Sequence, residues 1–223
     1  MTEPIHEALA EKELLPGTHL VDAGYVDAEQ IVNSQTEHGL HLLGPVRPDT
    51  SWQTIGNTGY AITDFAIDWE SKLAVCPNGA TSSAWTSKKD AWDNDVIGVK
   101  FSNKDCAPCS TRSCCTRQVT ASRSLTLRPQ LQHEALQKSR QKQKTKKWQK
   151  QYAKRAGIEG AISQAVRGFG LRECRYIGLA KTHLQHVLTA TAINMVRLDA
   201  WLTGKKRAQT RVSRFAALRP VLG

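Results

Sequence analysis

Charge is divided so unevenly along this chain that its two halves cannot compact by the same electrostatic rules. Residues 1–105 carry 7 Lys or Arg against 16 Asp or Glu, a net −9, whereas residues 106–223 carry 24 against 4, a net +20. Like charge at that density opposes compaction by self-repulsion and draws in a polyanion. Nucleic acid is the usual polyanion for such a surface and is the expected partner. The plain alternative is a solvated basic surface.

The 223 residues, 40% of them hydrophobic, suffice for a real core. No run of about 18 apolar residues exists, so no membrane span is expected. The best stretch, Val187 to Val196, is short and contains Thr and Asn. The N-terminal MTEPIHEALAEKELLP has acids and no apolar segment of the kind a secretory signal needs. A cytoplasmic, reducing location follows as the expectation. In it the six cysteines at 76, 106, 109, 114, 115 and 174 are metal ligands or free thiols rather than disulfides.

Four stretches follow along the chain. In residues 1–43, Glu3 to Leu15 reads as a helix stopped by Pro16-Gly17. Thr18 to Val21 and Leu40 to Leu43 read as short strands around a helix from Asp27, its cap, to Glu37. Residues 44–128 turn rich in Pro, Gly, Asn, Ser, Thr and Trp, with short alternating runs. Tyr60 to Trp69 with Leu73 to Val75 suggests a hairpin, and Val96 to Phe101 and Ser124 to Leu127 further strands. This block is expected to be a β-rich insertion. Residues 129–203 turn helical, from Gln132 to about Arg155, from Ala161 to Val166, and most strongly from Thr182 to Leu202. The apolar stripe of that last helix is Leu184, Leu188, Thr191, Met195, Leu198 and Leu202. Leu171 to Ile177 is a connection that could form a strand. Residues 204–223 are a basic tail.

Several residue sets could carry chemistry. Asp22, in Val21-Asp22-Ala23-Gly24-Tyr25, ends a short strand where a metal could sit; an ordinary turn is the plainer reading. Tyr152, Arg155 and Glu159 share one helix face, within about 60° of arc at about 100° per residue. Glu159 is either a working carboxylate or the partner of Arg155 in an i,i+4 ion pair. Residues 138–155 hold nine cations and no acid, with Trp148 and Tyr152 interleaved. Phosphates would satisfy Lys144, Lys146, Lys147 and Lys150, and an aromatic ring could stack on a base. Cys106-x2-Cys109 is half of a thiolate zinc site. Cys76 and one of the adjacent Cys114 and Cys115, taken as Cys114, would complete four ligands. Free thiols are the alternative. Cys174 stands apart and is expected in the core.

These motifs together resemble bacterial insertion-sequence transposases of the DDE type. Asp22-x-Gly24-Tyr25 looks like the motif around their second catalytic Asp. Tyr152-x2-Arg155-x3-Glu159 resembles their tyrosine–arginine–glutamate signature around the third acid. Cys76-Pro77, Cys106-x2-Cys109, Arg155 to Gln164 and Arg175 to His186 are similar to one subgroup along nearly the whole chain.

The resemblance implies an α/β architecture: a partial ribonuclease-H-like core, a β-rich insertion and a helical C-terminal part. It implies Asp22 and Glu159 as catalytic, magnesium- or manganese-holding carboxylates, Arg155 and Arg167 among the DNA-contacting residues, and DNA as partner. The chemistry would be two-metal phosphodiester hydrolysis followed by strand transfer. A nucleoid-associated, cytoplasmic protein is implied. The family's usual Lys beyond the Glu is replaced by Val166, with Arg167 next. Upstream of Asp22 no acid lies in a strand-like context, so the family's first Asp has no counterpart. The chain therefore reads as the C-terminal portion of such an enzyme, inactive alone and open to self-association through an uncovered strand edge. Two alternatives stay open: a non-enzymatic nucleic-acid-binding relic, and a zinc-stabilised interaction protein.

Overall fold

A computed structural model describes residues 2–56 and 58–205. The chain divides into two compact units, Met1–Lys154 and Arg155–Gly223. The expected basic tail lies outside the described residues from 206 onward.

The first unit begins with α1 (Thr2–Ala10) and a parallel strand pair, β1 (Thr18–Leu20) and β2 (His41–Leu43), joined through α2 (Ala28–His38). Asp27 caps α2 as its sequence suggests, its carboxylate accepting from the Gln30 amide at 2.8 Å. Gly39 closes the helix at φ 62°, in the left-handed region where glycine carries no Cβ penalty. Val21, Val26, Leu40, Leu42 and Val46 form the core beneath this pair. Gly44 follows β2 at a tight spot: a Cβ there would lie 2.7 Å from the Val21 carbonyl oxygen. Helix α1 stops at Ala10, short of the expected Leu15. Glu11, Lys12 and Glu13 are exposed and bury nothing that would hold another turn. His6 on α1 is fully buried, its Nε2 2.9 Å from His19 Nδ1, with the His38 ring edge-on.

The middle block is β-rich. After α3 (Trp52–Ile55), β3 (Ala66–Asp68) and β4 (Leu73–Val75) form the anticipated hairpin, though only three residues long on each side. A three-stranded antiparallel sheet follows, β5 (Ser82–Lys89), β6 (Asp95–Phe101) and β7 (Ser124–Leu127) in that order. The β6 and β7 spans match the sequence reading closely. Strand β5 has no counterpart in it, because most of its side chains face solvent and leave no apolar alternation to read. Phe65, Ala74, Val99, Phe101, Leu125 and Leu127 make this sheet's core. Between β6 and β7 lie two single-turn helices, α4 (Asn103–Cys106) and α5 (Arg112–Cys115).

The long helix expected from Gln132 to Arg155 is broken in two. Helix α6 (Gln130–Gln143) ends at Lys144, and α7 (Lys146–Tyr152) restarts with Thr145 as its cap. The Thr145 hydroxyl accepts from the Trp148 amide and donates to the Lys142 carbonyl at 2.6 Å. Hydroxyl side chains compete for backbone groups in this way, which suits caps better than helix interiors. Helix α6 docks on the first core through Leu136 and Gln143. The Gln143 amide bonds both the NH and the carbonyl of Val46, as a neighbouring strand would.

The second unit comprises α8 (Ala156–Phe169) and α9 (Leu179–Leu202). Leu171 to Ile177 is an irregular connection, with no strand among the described residues. Its carbonyls and amides are held instead by Gln185, which donates to the Glu173 carbonyl and accepts from the Arg175 amide. The expected stripe of α9 does not face a core. Leu184, Leu188, Met195, Leu198 and Leu202 are all more than half exposed, and the buried position is Ile193. The side turned inward is Gln185, Thr189, Ala192 and Ile193, spaced four, three and one. Periodicity identifies an apolar face, but only a partner can bury it, and small residues such as Ala165 let α8 approach closely on the other side. Cys174, expected in the core, is exposed, its thiol bonded to the Tyr176 carbonyl at 3.0 Å.

The described architecture is mixed α/β with small sheets. No described helix is long and apolar enough to cross a membrane.

Candidate nucleic-acid interface and cysteine cavity

Asp22 sits just beyond β1, exposed, at the carboxyl end of the parallel pair. The Val21 amide is still bonded to the Leu43 carbonyl at 3.0 Å, so the strand pairing fixes the chain up to the residue before Asp22. Carboxyl ends of parallel strands are where open α/β sheets present ligand-facing residues. Beside this turn opens a cleft of about 600 Å³, lined by Gly24 and Asp27 and by Arg47, Arg128, His133 and Arg140. The arginines of this cleft were not legible as a group. They come from three separated segments, two of them residues followed by proline. Partial burial lowers the pKa of Arg140 and of His133, and the Arg140 charge lowers His133 further. Asp49, on the same cleft, loses something to burial. Bonds from Ser51 and Thr54 and the field of Arg140 nevertheless hold its carboxyl below the ordinary value.

Lys138, Lys142, Lys144, Lys146, Lys147, Lys150 and Lys154 are all exposed. None of them enters an ion pair found among the described residues. On α7, at about 100° per residue, Lys146, Lys150 and Lys147 span roughly 100° of arc, while Trp148 and Tyr152 lie roughly 200° and 240° round. The two rings stack on each other at 4.9 Å with 17° between their planes. The expected base-stacking aromatics are therefore on the far side of α7 from the lysines, occupied with one another.

Glu159, in the second unit, bonds Arg155 at 3.1 Å, which is the i,i+4 ion pair its spacing allows. Gly157 and Gly160 on either side have nothing within 4 Å of where a Cβ would stand. The helix thus presents a bare backbone strip next to the carboxylate. Arg167 is exposed near the end of the same helix. Asp22 and Glu159 fall in different units. Among the described residues no three of His, Cys, Asp and Glu are drawn together as a metal-holding group. Carboxylates are the donors magnesium takes, so Asp22 and Glu159 suit it chemically.

The cysteines behave differently from the rest. Cys76, Cys106, Cys109 and Cys115 line one cavity of about 330 Å³ at the end of the three-stranded sheet. Cys115 takes the place given to Cys114 in the sequence reading. Cys114 is not on this cavity, and its carbonyl accepts from the Tyr60 amide. Adjacent residues on a single helical turn point about 100° apart, so only one of the pair can face inward. Burial pushes the Cys115 thiol up to about 11. The Arg123 charge opposes this rise, and the neighbouring Cys109, Cys76 and Cys106 add to it. Bonds from Thr111, and from Asn78 at 3.1 Å, lower the Cys109 thiol.

A family model described as a transposase DDE domain matches residues 75–199. That range contains the cavity cysteines, the lysine-bearing helices and Glu159, while Asp22 lies before it. No curated protein and no solved structure matches the chain.

Proposed function

Because the chain belongs to the DDE transposase family, we propose that it acts on DNA in insertion-sequence transposition, engaging the phosphate backbone through the lysine face of α6 and α7. The observation that carries this is a run of seven exposed lysines, none in an ion pair found among the described residues, within a family whose chemistry is done on DNA. Phosphates supply the countercharge that the described residues do not. A bacterial, cytoplasmic setting and a ribonuclease-H-like core around β1 and β2 belong to the same reading.

Asp22 and Glu159 are the proposed magnesium- or manganese-holding carboxylates. A bound ion of that kind would activate water and stabilise charge on the transferring phosphate. The chain's own contribution is to present Asp22 at the carboxyl end of a parallel pair and to hold the Glu159 carboxylate beside Arg155. Arg167 and the arginine-lined cleft by Asp22 offer further phosphate contacts.

A second reading, DNA binding without cleavage, draws support from the Arg155–Glu159 pair, in which the carboxylate is already engaged. One set of measurements separates the two. Changing Lys144, Lys146, Lys147 and Lys150 to Ala should flatten the slope of log K against log salt by roughly 0.9 per lost phosphate contact on duplex DNA. An unchanged slope moves the DNA contact elsewhere. Nicking of labelled element ends with magnesium or manganese, lost in Asp22→Asn and Glu159→Gln, supports the enzyme. Binding with no nicking supports the second reading.

A further inference from the structure

We infer that Cys76, Cys106, Cys109 and Cys115 bind one structural zinc ion that closes the end of the β-rich block, independently of whether the chain acts on DNA. Three features carry the inference.

The first is convergence. The four residues come from three separate places in the sequence, yet all line the same cavity. Each stands in a turn or single-turn helix outside the strands. Cys76 heads a tight turn in which its amide bonds the Ala80 carbonyl and its carbonyl accepts from Gly79 at 2.8 Å. Cys106 and Cys109 bracket a second turn, with the Cys109 amide directed at the Cys106 carbonyl. Cys115 ends the single-turn helix α5. Cys76, Cys106 and Cys115 also pack against the sheet core, although the described donors do not stand as a preformed metal-holding group. Zinc–sulfur bonds of about 2.3 Å would draw the turns inward.

The second is positive charge beside the sulfurs. Arg112 and Arg123 line the same cavity. Their terminal nitrogens donate only to carbonyls, of Gln118 and Ala121 for Arg112, and of Cys115 and Tyr60 for Arg123. The Nε of each is buried with no hydrogen-bond partner. Both residues are half-buried, with the Asp49 charge reaching Arg123, and taking a guanidinium partly out of water is costly unless it is paired. Four thiolates around one zinc(II) ion carry a net charge of two minus, which matches two guanidinium groups.

The third is ligand type. All six cysteines are free, and sulfur-only sets select zinc over the hard cations that carboxylates hold. Binding is a proton exchange: four thiols lose four protons, four zinc–sulfur bonds form, and no oxidant is involved.

The test is elemental analysis of the full chain purified under reducing conditions, together with cobalt(II) substitution. One zinc per chain is expected, and the cobalt form should show the intense visible bands of a tetrahedral thiolate complex. Cys115→Ser and Cys106→Ser should lose the metal, while Cys114→Ser and Cys174→Ser keep it. Should the cavity variants fail to fold, alkylation of the wild-type chain decides. With zinc bound, Cys114 and Cys174 should react and the other four should be protected, and a chelator should expose those four. Metal-free protein that gives no tetrahedral cobalt spectrum overturns the proposal. So does loss of zinc in Cys114→Ser, or an alkylation pattern that a chelator leaves unchanged.

Discussion

Replacing Gly44 by Ala should loosen the turn that presents Asp22. Gly44 does not have a left-handed φ, so alanine can adopt its backbone conformation. The obstacle is space. The new Cβ would stand 2.7 Å from the Val21 carbonyl oxygen, 2.9 Å from Val21 Cγ2 and 3.3 Å from Val26 Cγ1. The first of these is backbone and cannot swing aside, because the Val21 amide is tied to Leu43 on the other strand. Overpacking of this kind costs about 1–3 kcal/mol. Loss of glycine's freedom in the unfolded chain returns about 0.4–1 kcal/mol. The net expectation is a destabilisation of about 1–2 kcal/mol. With a urea m-value near 2 kcal/mol/M, the unfolding midpoint should fall by about 0.5–1 M. Gly160→Ala is the internal control. Its Cβ would meet nothing within 4 Å, and in a helix interior the change should stabilise by about 1 kcal/mol. Urea titrations of the three proteins, followed by circular dichroism, read both effects. A Gly44→Ala midpoint equal to or above wild type would refute the steric argument.

Two further outcomes are expected. Asp27→Ala removes the cap of α2 and should cost about 1 kcal/mol, seen as a lowered urea midpoint, whereas Asp27→Ser should recover most of it. Stability should also fall in mild acid. Burial is the largest cause lowering the pKa of His6, His19, His41 and His133. The unfolded chain therefore takes up protons near 6.5 while the folded chain resists them. The histidine contribution is complete above that pH, declines as pH drops through it, and levels off below the folded values. A melting temperature that is unchanged or higher at about pH 5 than at about pH 7.5 would contradict this linkage.

Local features are legible from the residues alone. Asp27 as a cap, the strands around α2, the β6 and β7 spans and the Arg155–Glu159 pair all follow from residues within a few positions of one another. Turn, cap and helix-spacing chemistry acts at that range. The family, too, was legible, because Tyr152, Arg155, Glu159 and the cysteine pairs recur at fixed separations. The tertiary structure decided what depends on partners far along the chain. It set Cys115 rather than Cys114 on the cavity, because the facing of α5 is fixed by packing against the sheet. It brought Arg47, Arg128 and Arg140 to one cleft from three segments. It turned Trp148 and Tyr152 toward each other, away from the lysines, and broke the basic helix at Thr145. It also left Leu184 and Leu188 of α9 exposed, since periodicity marks an apolar face and says nothing of what the chain can bring to cover it.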